Sequence, residues 1–295
     1  MEKQSVLQPF LGTVLIYLAF LYLYLFDYLT GMDFSLLLLL LFITNIVFIF
    51  VSFRLRSIRR AFIYSALLTF ILFNYEFATF ILDETESIVL FYQPSEEVIP
   101  HTGIYVLGIG SAELGKGATL HFYNEADRFE NITATNIIRY RSKYDWIFEL
   151  LNLKENPVED MRDSVQHYLS DTNSEINEFL NREDLDGNSA GLALVLSSIL
   201  HEKKETNNLG IGVTGAINKR GKVREIGHVK EKIQTAARDR HTHVIVPHGN
   251  LKEALKVKKD LNLGIEIEGV RSVEEALGVI ERWNFPSNYS EATAH

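Results

Sequence analysis

The sequence contains no cysteine, which excludes disulfides, thiolate zinc sites and cysteine nucleophiles together. Beyond residue 82 it also lacks a basic cluster. Residues 1–82 carry five basic and four acidic side chains, and the remainder carries 24 basic against 34 acidic. Affinity for polyanions comes mainly from Lys and Arg displacing counterions, so this acidic part excludes nucleic acid as a partner. Repeats and low-complexity segments are also missing, and neither a metal nor another cofactor is expected.

What is present divides the chain in two. Three hydrophobic runs occupy residues 10–26, 34–53 and 61–82, of 17, 20 and 22 residues, against the roughly 20 that cross a hydrocarbon layer. A cleavable signal would show one short apolar core, so three closely spaced runs read instead as a multi-pass anchor with helices at about 10–28, 34–53 and 61–82. The connection Arg54-Leu55-Arg56-Ser57-Ile58-Arg59-Arg60 is basic and the other, residues 27–33, is acidic. The positive-inside bias places the arginine loop and the N-terminus in the cytoplasm, and everything after Leu82 on the far side, in contact with the outer membrane surface. Glu76 interrupts the third run. At roughly 22 Å from Ala61 along a helix it is expected close to the outer headgroups, where it is wet.

An acidic linker over 83–103 leads into a domain expected over 104–285, followed by a tail over 286–295. Residues 104–110 and 119–123 are short apolar segments bounded by glycine and read as strands. Met161, Val165, Tyr168 and Leu169 follow helical spacing, and a second helix is expected over 175–180. The turn Asp186-Gly187-Asn188-Ser189-Ala190-Gly191 opens a buried helix that continues through Leu200. Residues 209–217 alternate as a strand that Asn218-Lys219-Arg220-Gly221 ends. Val229, Ile233, Ala236 and Ala237 mark one face of a helix, Val244-Ile245-Val246 a buried strand, and Ile265 and Ile267 a half-buried strand. Ser272 with Glu275 three residues on forms a capping box for a last helix. Interleaved helices and strands make the domain α/β or α+β.

Two glycine patterns mislead by their letters. Gly110-Ser111-Ala112-Glu113-Leu114-Gly115-Lys116-Gly117 resembles a phosphate-binding loop, but its last position lacks the hydroxyl that holds magnesium and no helix follows. It reads as a tight turn between strands. Gly210-Ile211-Gly212-Val213-Thr214-Gly215 matches a dinucleotide fingerprint, yet its glycines lie inside the strand, where they permit close approach of another backbone or a substrate.

Ser189 sits where a sharp turn enters a helix, beside free backbone N–H groups and the positive end of a helix dipole. A serine there is ordinarily a helix cap. To act as a nucleophile it needs a base, and no histidine presents itself on spacing; a lysine can serve once desolvation disfavours its ammonium. Lys232 borders the apolar stripe of the helix after His228, whereas Lys230 points sideways toward Gln234.

These motifs, together with Thr214-Gly215, Gly221-Lys222-Val223, Ile226-Gly227, Lys230-Glu231-Lys232 and Ala236-Ala237, stand in the order and spacing of the proteolytic domain of the Lon family, and the chain resembles it densely from Asp186 to about Asn250. The resemblance implies an α+β Lon-type fold related to ribosomal protein S5 domain 2, preceded here by the three-helix anchor. It implies Ser189 as nucleophile and Lys232 as general base, with Thr214 orienting the amine. Asp186 is implied as a site-shaping acid, and Gly187, Ala190 and Gly215 as supporting positions. Asn188 departs from the usual proline and His228 from a usual second glycine; an imidazole at the start of the lysine helix would repel its charge if protonated.

The expected function is a membrane-anchored serine endopeptidase cutting flexible polypeptide segments near the outer membrane face. Neither an ATPase nor a PDZ module is expected beside the domain, so turnover is expected without ATP. The resemblance also implies a homo-oligomer, a ring of six. The alternative is a non-catalytic scaffold of the same fold, with Ser189 only a cap.

Overall fold

The computed structural model describes residues 2–52, 54–81, 85–115, 117–150, 156–204, 207 and 209–285. The expected tail lies outside them. In chain order the first elements are α1 (Glu2–Leu25), α2 (Gly31–Val51) and α3 (Arg56–Ile81). Next come β1 (Thr85–Phe91), β2 (Ile104–Val106), β3 (Gly110–Gly115), β4 (Arg128–Thr133) and α4 (Asn136–Leu150). The chain divides into two units, the first comprising residues 1–89, 112–122 and 130–154 and the second the rest.

In the first unit, Thr30 starts α2 with a capping box. Its hydroxyl accepts from Asp33 N–H at 3.1 Å while the Asp33 carboxylate accepts from Thr30 N–H at 3.2 Å, satisfying donors that a helix start leaves orphaned. Helices α1 to α3 are each long and apolar enough to cross a membrane. Their outer faces present large apolar side chains such as Leu40, Phe50 and Val51, whereas α3 turns Ser65, Thr69, Glu76 and Thr79 inward.

Glu76 is therefore not the wet headgroup residue that its position along the helix suggested; it is fully buried. Lys143 Nζ donates to its Oε2 at 2.7 Å, and the hydroxyls of Tyr17 and Tyr140 donate to its Oε1 at 2.8 and 3.0 Å. The cause is α4, an element that no apolar stripe announced, which carries Tyr140 and Lys143 against α1 and α3. Asn136, at its start, donates through Nδ2 to the carbonyls of Tyr24 and Leu29. Removing one member of a buried ion pair costs about 3–5 kcal/mol, whereas removing both is far milder. Glu76→Leu should accordingly unfold well below the parent in detergent, and Glu76→Leu combined with Lys143→Leu should recover most of the loss. Unchanged thermal unfolding of Glu76→Leu would mean that the carboxylate is solvated after all.

Strands β1, β3 and β4 pair in the order β3-β1-β4. So the expected linker holds a strand, with Val89 and Leu90 buried, and of the turn expected over 110–117, Gly110–Gly115 is itself a strand. Gly110 is required there because a Cβ would stand 2.1 Å from the Phe91 ring. Residues 119–123 are not a strand: Leu120 and Tyr123 are exposed, so no burial drives a ladder.

The second unit continues with α5 (Pro157–Leu169), α6 (Ser174–Leu180), α7 (Gly191–Lys203), β5 (Ile211–Val213), β6 (Ala216–Ile217), β7 (Val223–Arg224) and α8 (Val229–Arg238). It ends with β8 (His243–Pro247), α9 (Leu251–Asp260), β9 (Glu266–Val270) and α10 (Val273–Asn284). Strands β2, β5, β8 and β9 form a parallel sheet in that order. Strand alternation sends side chains to both faces. Ile211, Val213, Ile245 and Val270 pack with α5, α6, α7 and α10, while Val244, Val246 and Ile267 pack with α8 and α9.

The mixed helix-and-sheet expectation is met, with one change at its centre. The single strand expected over 209–217 is two, because the chain leaves the parallel sheet at Thr214-Gly215 and β6 pairs antiparallel with β7. Gly221 closes that hairpin at φ +73°, where a Cβ would lie 2.3 Å from the Tyr168 ring. The expected capping box is also altered: Ser272 Oγ accepts from Glu275 N–H, but the Glu275 carboxylate accepts from Arg271 N–H.

Candidate active site

The break between β5 and β6 positions the chemistry. Thr214 N–H still donates to Ile245 O of β8, at 3.1 Å, as if continuing the sheet. Gly215 N–H then donates to Ser189 O at 2.8 Å, and Leu192 N–H donates to Gly215 O at 2.9 Å. These two bonds stitch the turn before α7 to the end of β5. Gly215 fits because a Cβ would press within 3.2 Å of Leu192 and Val223. Gly187 supplies the sharp entry at φ +93°, a conformation that glycine adopts without strain. Ala190, nearly buried, is the residue that flanks α7, and the helix has no side-chain cap.

Ser189 is thus not a cap. Its Oγ lies 2.6 Å from Lys232 Nζ. Lys232 is one turn into α8, whose buried face of Val229, Lys232, Ile233 and Ala236 lies against the sheet, the stripe read from the sequence. Only 4% of Lys232 is exposed, and this burial pushes its amine down from 10.5 to about 8. Lys230 is exposed. Lys232 Nζ also donates to Thr214 Oγ1 at 3.3 Å, and the Thr214 hydroxyl donates in turn to Ser189 O at 3.3 Å. Two hydroxyls, one from the turn before α7 and one just after β5, therefore converge on one buried nitrogen.

Other candidate residues stand apart. Asp186 is exposed, and neither hydrogen bond at Lys232 involves it. His228 is exposed too and adopts φ +57°, with its carbonyl accepting from Lys232 N–H at 3.1 Å. Its left-handed backbone accounts for the pull toward glycine at this position. Sequence reasoning missed Asp160 and Arg224. Asn188 Nδ2 donates to Asp160 Oδ2 at 3.0 Å, and Arg224 is ion-paired to the same carboxylate; no spacing rule links positions so far apart. Among the described residues, no group of three or more His, Asp or Glu converges as a metal site.

At a helix-opening turn, a buried lysine amine thus stands within hydrogen-bond distance of a serine hydroxyl. Residues 183–281 match the family of the Lon protease (S16) C-terminal proteolytic domain. Among curated relatives, the chain is 34% identical over 92 residues to a Lon protease of Azospirillum brasilense, covering 31% of this chain and 11% of that protein. It is 33% identical over 108 residues to a Lon protease of Trichlorobacter lovleyi (36% and 13%) and 35% identical over 96 residues to one of Flavobacterium johnsoniae (32% and 12%). The matched stretch thus spans only about an eighth of the length of these relatives.

Proposed function

We propose that the chain is a membrane-anchored serine endopeptidase in which Ser189 is the nucleophile and Lys232 the general base. The observation that carries this reading is the 2.6 Å approach of Ser189 Oγ to an amine whose burial brings its pKa to about 8. With the amine neutral, the Ser189 O–H donates into its lone pair, while a Lys232 N–H directed at Thr214 Oγ1 holds that lone pair toward Ser189. The Ser189 oxygen adds to the carbonyl carbon of the scissile peptide bond as its proton passes to Nζ. Collapse expels the amine product, which takes the proton from the Lys232 ammonium. Water then attacks the acyl-enzyme, giving its proton to Lys232, and as the acyl–Oγ bond breaks Ser189 Oγ takes that proton back and the acid is released.

The developing oxyanion needs fixed donors. Among the described residues, the N–H groups of Ser189 and Ala190 have no hydrogen-bond partner, and the N-terminus of α7 adds its dipole. These are the donors we assign. Asp186, exposed three residues before Ser189, is assigned to the rim of the site.

The three apolar helices would tether this site to a bilayer, with the arginine loop at 54–60 cytoplasmic and the second unit outside. The substrates proposed are flexible polypeptide segments close to that surface. Turnover is proposed to need no ATP: the segment whose letters resemble a phosphate-binding loop, residues 110–117, begins with the strand β3 (Gly110–Gly115). The test is cleavage of an unfolded peptide by the detergent-purified chain. Cleavage blocked by a peptide boronate, at a rate changed less than about twofold by MgATP, is expected; the scaffold alternative requires no cleavage and no boronate binding. Peptide cleavage that occurs only with MgATP would contradict the nucleotide-free part.

A further inference from the structure

The turn bearing Ser189 is held on one flank by backbone, through Gly215 N–H to Ser189 O. Its other flank is held by a side chain. Asn188 Nδ2 donates to Asp160 Oδ2 at 3.0 Å. Asp160 lies in the first turn of α5, where its N–H donates to Asn156 O at 2.9 Å and the helix dipole favours a carboxylate. The same carboxylate is ion-paired to Arg224 of β7, and the Arg224 guanidinium also donates to Ile217 O of β6 at 2.8 Å. The Asp160 side chain is only 17% exposed, so this network is partly shielded from water. It runs from the turn bearing Ser189 through α5 to the β6–β7 hairpin, the hairpin that begins one residue after Gly215.

The turn needs such a tether. Gly187, at φ +93°, leaves the backbone before it free, and Asn188 does not fix its own φ as a proline ring would. A displacement of about 1 Å at a reacting atom can cost about a hundredfold in rate. We infer that Asp160 is a positioning residue that fixes Ser189 against Lys232 by anchoring the Asn188 side chain, with Arg224 fixing the carboxylate in turn. This inference rests on the peptidase reading of the Ser189–Lys232 pair. A carboxylate suits the task because it accepts from an amide and a guanidinium at once, and it makes no hydrogen bond to Ser189 or Lys232 themselves.

The test uses the full chain in detergent, with rates normalised to titrated active sites so that a loss of folded protein does not count. Asp160→Ala is expected to lower kcat by about 10- to 100-fold with KM changed less than about twofold. The acid limb of the pH profile should stay in place, because Lys232 keeps its surroundings. Asn188→Ala should reproduce the loss, and the double variant should be no worse than either single one, since both cut the same tether. Unchanged kcat per titrated site in Asp160→Ala, or losses that multiply in the double variant, would overturn the inference. If Asp160→Ala fails to fold, Asn188→Ala, which keeps the Asp160–Arg224 pair, decides alone. Ser189→Ala separates the two levels: inactivity there with full kcat in Asn188→Ala rejects only the tether, whereas retained cleavage in Ser189→Ala rejects the peptidase reading beneath it.

Discussion

Ser189→Ala is expected to lower peptide cleavage by about four orders of magnitude or more without unfolding the chain. The size follows from the way a nucleophile and its base act as a unit, so that losing either removes nearly all the covalent route. The preserved fold follows from the structure. Ser189 Oγ caps no helix, since α7 has no side-chain cap, and the turn is held through the Ser189 carbonyl and the Asn188 side chain, both kept in the variant. Lys232 retains Thr214 Oγ1 as a partner. Thermal unfolding should therefore shift little while cleavage disappears, and Ser189→Ala combined with Lys232→Met should be no less active than either single variant. Cleavage persisting in a clean Ser189→Ala preparation would reject the assignment.

The second large effect is on pH. Only neutral Lys232 can take the proton, so kcat/KM should rise about tenfold per pH unit below about 8 and level off above it. Stability should respond to the same group. Its folded pKa of about 8 lies below the ordinary 10.5, so between those values the unfolded chain binds more protons, and stability rises with pH across that window. Below it the folded state bears the full penalty of keeping the amine in a dry site, on the order of 3 kcal/mol. Lys232→Met, which fills similar space without charge, should be inactive yet more stable than the parent at neutral pH. The difference should shrink as pH rises through about 8 toward 10.5. A less stable Lys232→Met at neutral pH, or a rate independent of pH there, would contradict a desolvated base.

Much of the second unit was legible because its burial follows local periodicity. The stripe of Val229, Ile233 and Ala236 predicts both α8 and the burial of Lys232 beside it, and Val244-Ile245-Val246 reads directly as a central strand. The turn bearing Ser189 was legible from glycine and helix-start chemistry, and the structure brings Ser189, Thr214 and Lys232 together. What escaped depends on partners distant in sequence. Whether a glycine-flanked apolar segment is a strand depends on whether something covers it: residues 119–123 lack that cover, whereas Gly110–Gly115 finds a partner in β1. Strand 209–217 splits because Gly215 N–H bonds the Ser189 carbonyl. Glu76 reads as a surface residue until α4 brings Lys143 and Tyr140 onto it, and α4 mixes Arg139, Arg141 and Lys143 among aromatics with no helical stripe. Asp160 was invisible for the same reason, since its partners Asn188 and Arg224 lie in other elements.

Removal of the Ser189 proton by a neutral Lys232 is tested most directly by covalent capture at Ser189. The chain would be incubated briefly with an activated peptide ester at intervals from about pH 6 to about pH 10 and the adduct located by intact and fragment mass spectrometry, in parallel with Lys232→Met. One acyl group is expected, on Ser189, forming at a rate that rises through an ionisation near 8 and vanishing in Lys232→Met. An adduct on another residue, or acylation of Ser189 at the same rate in Lys232→Met, would contradict it.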